Sequence, residues 1–132
     1  MPLHQEDLSL SRRRALALLG GLALAPAARA QPAGWPAQPI KLIVPFAAGS
    51  GTDAVARITA QALSDALKTP VVVDNKAGAN GIIAAEFVAK APPDGYTLFM
   101  TTNTTHSANP SLMKSLPYDP VKDFAPVSRM GN

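Results

Sequence analysis

Three segments rich in glycine and small polar residues are the best candidates for a binding site in this sequence. They are residues 47–53, 75–81 and 102–106, and each follows a short, mostly apolar run. A glycine-bearing loop that leads into a helix presents free backbone N–H groups and the positive end of the helix dipole. Such a loop suits an anion that must be released again, because each dipole contributes about 0.3–1 kcal/mol. The alternative is that the glycines only permit tight turns.

Side chains that could perform catalysis are few. The sequence has no cysteine, which excludes disulfides, thiolate zinc sites, iron–sulfur clusters and a cysteine nucleophile. Two histidines, His4 and His106, offer little material for a histidine-rich metal site or a serine–histidine triad. Ser50 lacks the wider elbow motif of hydrolases. We therefore expect no catalytic residue, no metal site and no cofactor, and a protein that binds its ligand without transforming it.

One motif supports a different interpretation. Residues 49–54 (GSGTDA) match the G-x-G-x-x-G/A fingerprint of dinucleotide-binding folds, and Asp74 lies where the ribose-binding acid is expected. Against this, residues 45–48 delay the first glycine beyond the usual tight turn at the strand end. The alternative function is thus an exported NAD(P)-dependent oxidoreductase that uses Gly49, Gly51 and Ala54. A Walker loop is excluded because no Gly-Lys-Ser/Thr follows.

The candidate loops connect a regular alternation of strands and helices. Apolar runs predict strands over residues 40–46, 71–74 and 96–101, and helical periodicity predicts helices from Thr52 to just before Pro70 and over residues 82–90. This order indicates an α/β fold with an open, mainly parallel sheet and crossover helices. The carboxyl ends of all three strands, and hence the three loops, then share one edge of the sheet.

The first helix has a predicted buried face and a predicted cap. Its larger apolar residues share one face, while Arg57 lies opposite on a solvated face. Gly51 or Thr52 is predicted to cap the helix, with Asp53 in its positive first turn. The predicted buried residues are Val55, Ile58, Ala62, Leu63, Ala66 and Leu67.

Residues 1–30 have the pattern of a cleavable signal peptide. Three arginines (residues 12–14) precede an apolar run over residues 15–25, and Ala28-Arg29-Ala30 forms a cleavage site before Gln31. The run is too short for a membrane anchor, which needs roughly 20 residues. The arginines also resemble a twin-arginine signal. Without this segment the net charge of +3 falls close to neutral, so we expect no nucleic-acid partner.

Several motifs, taken together, resemble those of one family. They are residues 35–40 (WPAQPI), 43–53 (IVPFAAGSGTD), 71–81 (VVVDNKAGANG), 93–98 (PDGYTL), 109–112 (NPSL) and 116–124 (LPYDPVKDF). In this order they resemble the Bug-type extracytoplasmic solute receptors of tripartite tricarboxylate transporters, and the likeness covers nearly all of residues 31–132. The family more often has glycine at Ser50 and proline at Ala48.

The resemblance implies a periplasmic, monomeric, two-lobed (Venus-flytrap) binding protein. It would capture a small organic carboxylate, whether a mono-, di- or tricarboxylate or an amino acid, and deliver it to membrane permease subunits. Residues 31–132 would form the N-terminal part of the first lobe, without the second lobe. Because half a clamp cannot close, a non-functional fragment is a further alternative.

The resemblance also implies the ligand-binding residues. The loops after the first and third strands hold the carboxylate through backbone N–H groups and small polar side chains, and the loop after the second strand flanks them. In this sequence these residues are Phe46, Ala47, Gly49, Ser50, Gly51, Thr52 and Asp53, then Thr102, Asn103 and Thr104, and the flanking Gly78, Ala79, Asn80 and Gly81.

We predict that the exported protein begins at Gln31, because small residues stand at the two positions that a signal peptidase reads. N-terminal sequencing of the periplasmic product tests this, and a product that begins at Met1 would contradict it. Replacing Arg12 and Arg13 by lysine is expected to abolish export only if the twin-arginine route is used.

Overall fold

Three parallel strands and the helices that connect them make up the part of the chain that the structure, a computed structural model, describes: residues 34–131. The predicted signal peptide lies outside these residues. The elements are β1 (Ile40–Val44), α1 (Gly51–Leu67), β2 (Val71–Asn75), a 3₁₀ turn (Ala79–Gly81), α2 (Ile82–Ala89), β3 (Thr97–Phe99), a π-helical turn (Thr104–Ala108) and α3 (Asn109–Leu112). No helix within residues 34–131 is long and apolar enough to cross a membrane.

The strands form one open sheet in the order β2-β1-β3, with both pairings parallel. This confirms the predicted α/β fold. The register pairs Val44 with Asn75 and Ile43 with Phe99, so the three strands end near the same edge. The chain passes from β1 to β2 on one side and then returns to β3 on the other. The strand order therefore reverses at β1, and in open α/β sheets such a reversal opens a crevice beyond the strand ends.

The α1 helix packs on the sheet through alanines. Ala56 and Ala60 are buried in a cluster with Leu42 and Val44 of β1 and with Met100. Because alanine ends at Cβ, the helix can lie close to the sheet while the larger strand side chains fill the space between them. This close approach holds the first turn of α1 beside the end of β1.

The predicted buried face of α1 is wrong. Val55 and Ile58 are 45% and 73% exposed, Ala62 and Ala66 are exposed, and Leu63 and Leu67 are half-buried. The buried residues are Asp53, Ala56 and Ala60. Hydrogen bonds from Gly49, Arg57 and Asn75 hold the Asp53 side chain inward, which favours one rotation of the helix about its axis. Ala56 and Ala60, three and seven positions after Asp53, lie on the same face of the helix and are therefore buried as well.

The α1 helix also begins differently from the prediction. Its N-cap is Ser50, whose Oγ accepts a hydrogen bond from the Asp53 N–H at 3.2 Å. The predicted cap, Gly51 or Thr52, lies within the first turn instead. At the other end Lys68 adopts a left-handed conformation (φ 54°) that terminates the helix before Pro70.

We predict that Ile43→Ala destabilises the protein by about 2–5 kcal/mol, because Ile43 is fully buried and the change leaves a cavity. Ile58→Ala removes the same atoms from an exposed position and should change the free energy of unfolding by less than about 0.5 kcal/mol. Urea unfolding of both variants measures the difference. Equal losses in the two variants would show that another part of the protein covers Ile58.

Candidate functional site

The three candidate loops meet at the carboxyl edge of the sheet, as the sequence predicted. The first connects β1 to α1, the second connects β2 to α2, and the third connects β3 to the π-helical turn. The first and third flank the point at which the strand order reverses. Because each loop enters a helix, their backbone N–H groups and the positive helix ends share this edge.

The first loop exposes two unpaired donors at the start of α1. The first N–H groups of a helix have no acceptor within the helix, and Ser50 Oγ accepts only that of Asp53. The Ser50 side chain therefore accepts no hydrogen bond from the N–H groups of Gly51 and Thr52. Gly49 has φ +85°, a conformation that glycine adopts without a steric cost.

The Asp53 side chain lies beneath this loop. It is 4% exposed, and its Oδ2 accepts hydrogen bonds from the Gly49 N–H at 2.8 Å and from Arg57 Nε at 2.9 Å. Asn75 Nδ2 donates to Asp53 Oδ1 at 2.9 Å and to the Phe46 carbonyl at 3.0 Å. The carboxylate thus joins the first loop, α1 and the end of β2.

These contacts keep Asp53 ionised. The hydrogen bonds from Arg57, Gly49 and Asn75, in that order of importance, lower the pKa of the carboxyl from 3.8 to about 2. A pKa that is lower in the folded state stabilises the fold at pH values above 3.8, and this contribution is lost as the pH falls towards 2. At neutral pH the site therefore contains a buried anion that is paired with a guanidinium.

The second loop has an unusual backbone. Gly78, Ala79, Asn80 and Gly81 all have positive φ, with values of 129°, 46°, 54° and 80°. Asparagine and glycine tolerate this region, whereas alanine pays a steric cost there of roughly 1–2 kcal/mol. Asn109, which is buried, donates from Nδ2 to the Asn80 carbonyl at 3.0 Å and thereby stabilises the conformation.

Gly81 is the point at which the second loop touches both the first loop and the π-helical turn that follows the third. A Cβ added to it would lie 2.6 Å from Thr105 Cγ2 and 3.0 Å from Pro45 Cβ. Pro45 begins the first loop, and Thr105 belongs to the π-helical turn after the third. Only a residue without a side chain fits between them, so Gly81 sets the spacing of the site.

The third loop is shorter than predicted, because residues 103–106 are helical rather than loop. Thr105 folds back on this turn: its Oγ1 donates to the Thr102 carbonyl at 3.0 Å, and its own carbonyl accepts from Tyr118 Oη at 2.6 Å. The Thr102 hydroxyl is buried and has no hydrogen-bond partner among the described residues.

His106 makes structural contacts at the end of β3. Its Nδ1 lies 2.6 Å from Thr101 Oγ1, and its ring packs edge-on against Phe124 with centroids 4.6 Å apart. Burial lowers the pKa of His106 below its ordinary value of 6.5, so the ring is neutral at pH 7. Its contacts attach the segment around Phe124 to the end of β3.

The predicted site residues lie on the three loops and on the first turns of the helical segments that follow them, but residues outside that set hold them in place. Asn75, Arg57, Thr105 and Asn109 supply the connecting hydrogen bonds. Arg57 was expected on a solvated face; it is 56% exposed, yet its Nε pairs with Asp53. The Asp-x-x-x-Arg spacing could have indicated this ion pair, whereas the contacts of Asn75 depend on strand register.

Neither metal chemistry nor the dinucleotide fingerprint gains support from this geometry. Residues 34–131 contain no group of three histidine or acidic side chains that could hold a metal ion. The loop between β1 and α1 spans residues 45–50, which is longer than the tight turn of a nucleotide-binding strand. The carboxylate of Asp74, the acid expected to bind a ribose in the fingerprint, forms an ion pair with Lys76 (Oδ2 to Nζ, 3.3 Å).

Comparison with known proteins gives the family. The profile of the tripartite tricarboxylate transporter family receptor matches residues 55–132. The chain belongs to this family. It is 42% identical to Protein BugT of Bordetella pertussis over 127 residues, which cover 93% of this chain and 39% of BugT.

Two solved structures of relatives resemble this receptor chain. MatC of Rhodopseudomonas palustris with bound malate has 42% sequence identity and a TM-score of 0.68, covering 70% of this chain and 32% of MatC. R. palustris Rpa4515 with adipate has 42% identity and a TM-score of 0.63, covering 65% and 29%. The chain thus spans about a third of the length of the relatives it matches.

We predict that adding a methyl group lowers the stability of the receptor at one glycine and leaves it nearly unchanged at another. Gly81→Ala should destabilise the fold by at least about 2 kcal/mol, because it adds overpacking to a left-handed backbone. Gly51→Ala is the matched control: its Cβ would meet nothing within 4 Å, so the expected change is below about 0.5 kcal/mol. Thermal unfolding distinguishes the two. A tolerated Gly81→Ala would contradict the close contact of the three loops.

Proposed function

We propose that the full-length receptor captures a small organic carboxylate at the carboxyl edge of this sheet. The observation that carries the proposal is the start of α1, where the N–H groups of Gly51 and Thr52 are unpaired and point out of a 17-residue helix with a fixed cap. A carboxylate oxygen is the acceptor that suits two adjacent N–H groups and a positive helix end. The malate and adipate bound in MatC and Rpa4515 support the same ligand class.

The site holds an anion without a dedicated free cation in the first loop. The Arg57 guanidinium is engaged by Asp53, so the attraction comes from backbone N–H groups and the helix dipole. Each contribution is modest, about 0.3–1 kcal/mol for a helix end. Modest contributions suit a transport receptor, because the ligand must leave again.

The other ligand-binding residues follow from this arrangement. Residues 46, 47, 49–52 and 102–104 contact the carboxylate, Asp53 lies beneath the first loop, and residues 78–81 flank the ligand by holding the other two loops apart. The chain provides one wall of the cleft, and the second lobe of the full-length receptor provides the opposite wall. The ligand undergoes no chemical change.

The same proposal covers the cellular role. A cleavable signal peptide exports the receptor to the periplasm, where it acts as a monomer. It delivers its carboxylate to the membrane permease of a tripartite tricarboxylate transporter. Membership of a receptor family supports this role.

We predict that calorimetric titration of the full-length receptor detects binding of small carboxylates such as malate or adipate and none of NAD or NADP. Gly51→Val should weaken carboxylate binding by at least about tenfold, or 1.4 kcal/mol, because a branched side chain at the helix entrance blocks the N–H groups. Circular dichroism verifies that the variant is folded. Tight nicotinamide binding that is lost in Asp74→Asn would favour the oxidoreductase instead.

A further inference from the structure

We propose that Asp53 is a positioning residue: together with Arg57 and Asn75 it clamps the loop between β1 and α1 in its ligand-binding shape and does not itself contact the ligand. The inference rests on the proposed function, since it concerns the same loop. In this arrangement Asp53 holds Gly49, Asn75 holds Phe46, and Arg57 hydrogen-bonds to both Asp53 and Asn75.

Three hydrogen bonds occupy most of the roughly four acceptor positions of the Asp53 carboxylate. Both of its carboxylate oxygens accept hydrogen bonds, from Gly49 N–H and Arg57 Nε on Oδ2 and from Asn75 Nδ2 on Oδ1. The side chain is only 4% exposed. A group that is buried and occupied in this way can act on the ligand only through the atoms that it holds.

Those atoms are at both ends of the loop. Asp53 holds the N–H of Gly49, near the helix entrance. Asn75, which is paired in register with the last residue of β1, holds the Phe46 carbonyl at the beginning of the loop. Its amide oxygen in turn accepts from Arg57 Nη2 at 3.4 Å. Asn75 and Asp53 also bond to each other, so the two ends of the loop are joined by a closed network.

Electrostatic repulsion and loop positioning predict opposite changes in ligand affinity when the charge of Asp53 is removed. A buried anion close to an anion-binding loop repels the ligand, so electrostatics by itself predicts tighter carboxylate binding when Asp53 loses its charge. Positioning predicts weaker binding. In Asp53→Asn one oxygen becomes an NH₂ group, which faces existing donors on either side: Gly49 and Arg57, or Asn75. The direction of the change in affinity therefore distinguishes the two explanations.

The experiment uses four forms of the full-length receptor: unchanged, Asp53→Asn, Asn75→Ala and, as a control, Gln61→Ala. Gln61 pairs with Asp65 on the exposed surface of the same helix. Titration with malate and with adipate measures affinity. Amide hydrogen exchange of the ligand-free protein measures protection of residues 46–50. Circular dichroism verifies folding.

We expect Asp53→Asn and Asn75→Ala to weaken both ligands by about tenfold or more and to lower protection of residues 46–50, while Gln61→Ala changes neither. Tighter binding in Asp53→Asn, or unchanged protection in both variants, would overturn the inference. Loss of one ligand but not the other would also overturn it, because it would indicate direct contact with the ligand. If the unchanged receptor bound no carboxylate, the proposed function would fail, whereas the exchange measurement would still test the clamp.

Discussion

The parallel pairing of β1 with both of its neighbours is the constraint on which the rest of the molecule depends. Parallel strands end at the same edge, so the loop that follows each strand leaves from that edge and the helical segment after it begins there. A single geometric requirement thereby brings together three segments that are far apart in sequence. It also brings together their unpaired N–H groups, which would repel cations and attract a carboxylate.

The position of the loops at one edge of the sheet does not by itself fix their backbone conformation. Glycines leave a loop many conformations, and ordering each residue costs conformational entropy. The structure offsets this cost with half-buried or buried side chains that hydrogen-bond to backbone groups. Asn75 holds the Phe46 carbonyl, and Asn109 holds the Asn80 carbonyl. The glycine-rich residues line the proposed binding surface, and the polar side chains beneath them hold its shape.

The α1 helix links the core to the site. Ala56 and Ala60 pack on the sheet, and the residue three positions before Ala56 is the buried Asp53. The rotation that buries the alanines also brings Asp53 under the loop, so packing and polar contacts favour one orientation. Val55 and Ile58, which are larger and more hydrophobic, face outward as a consequence.

Local signals in the sequence were sufficient for the order of strands and helices, the parallel sheet and the three loops at its edge, because periodicity and turn residues act over a few positions. They were insufficient for the buried face of α1, the helical start of the third segment and the roles of Asn75, Arg57 and Asn109. A hydrophobic pattern assigns a face by side-chain size, whereas in the folded chain the packing of Ala56 and Ala60 and the hydrogen bonds of Asp53 together favour the observed rotation of α1. Asn75 meets Phe46 and Asp53 only after β1 and β2 have paired in register, so its role follows from contacts across 29 and 22 positions of the chain.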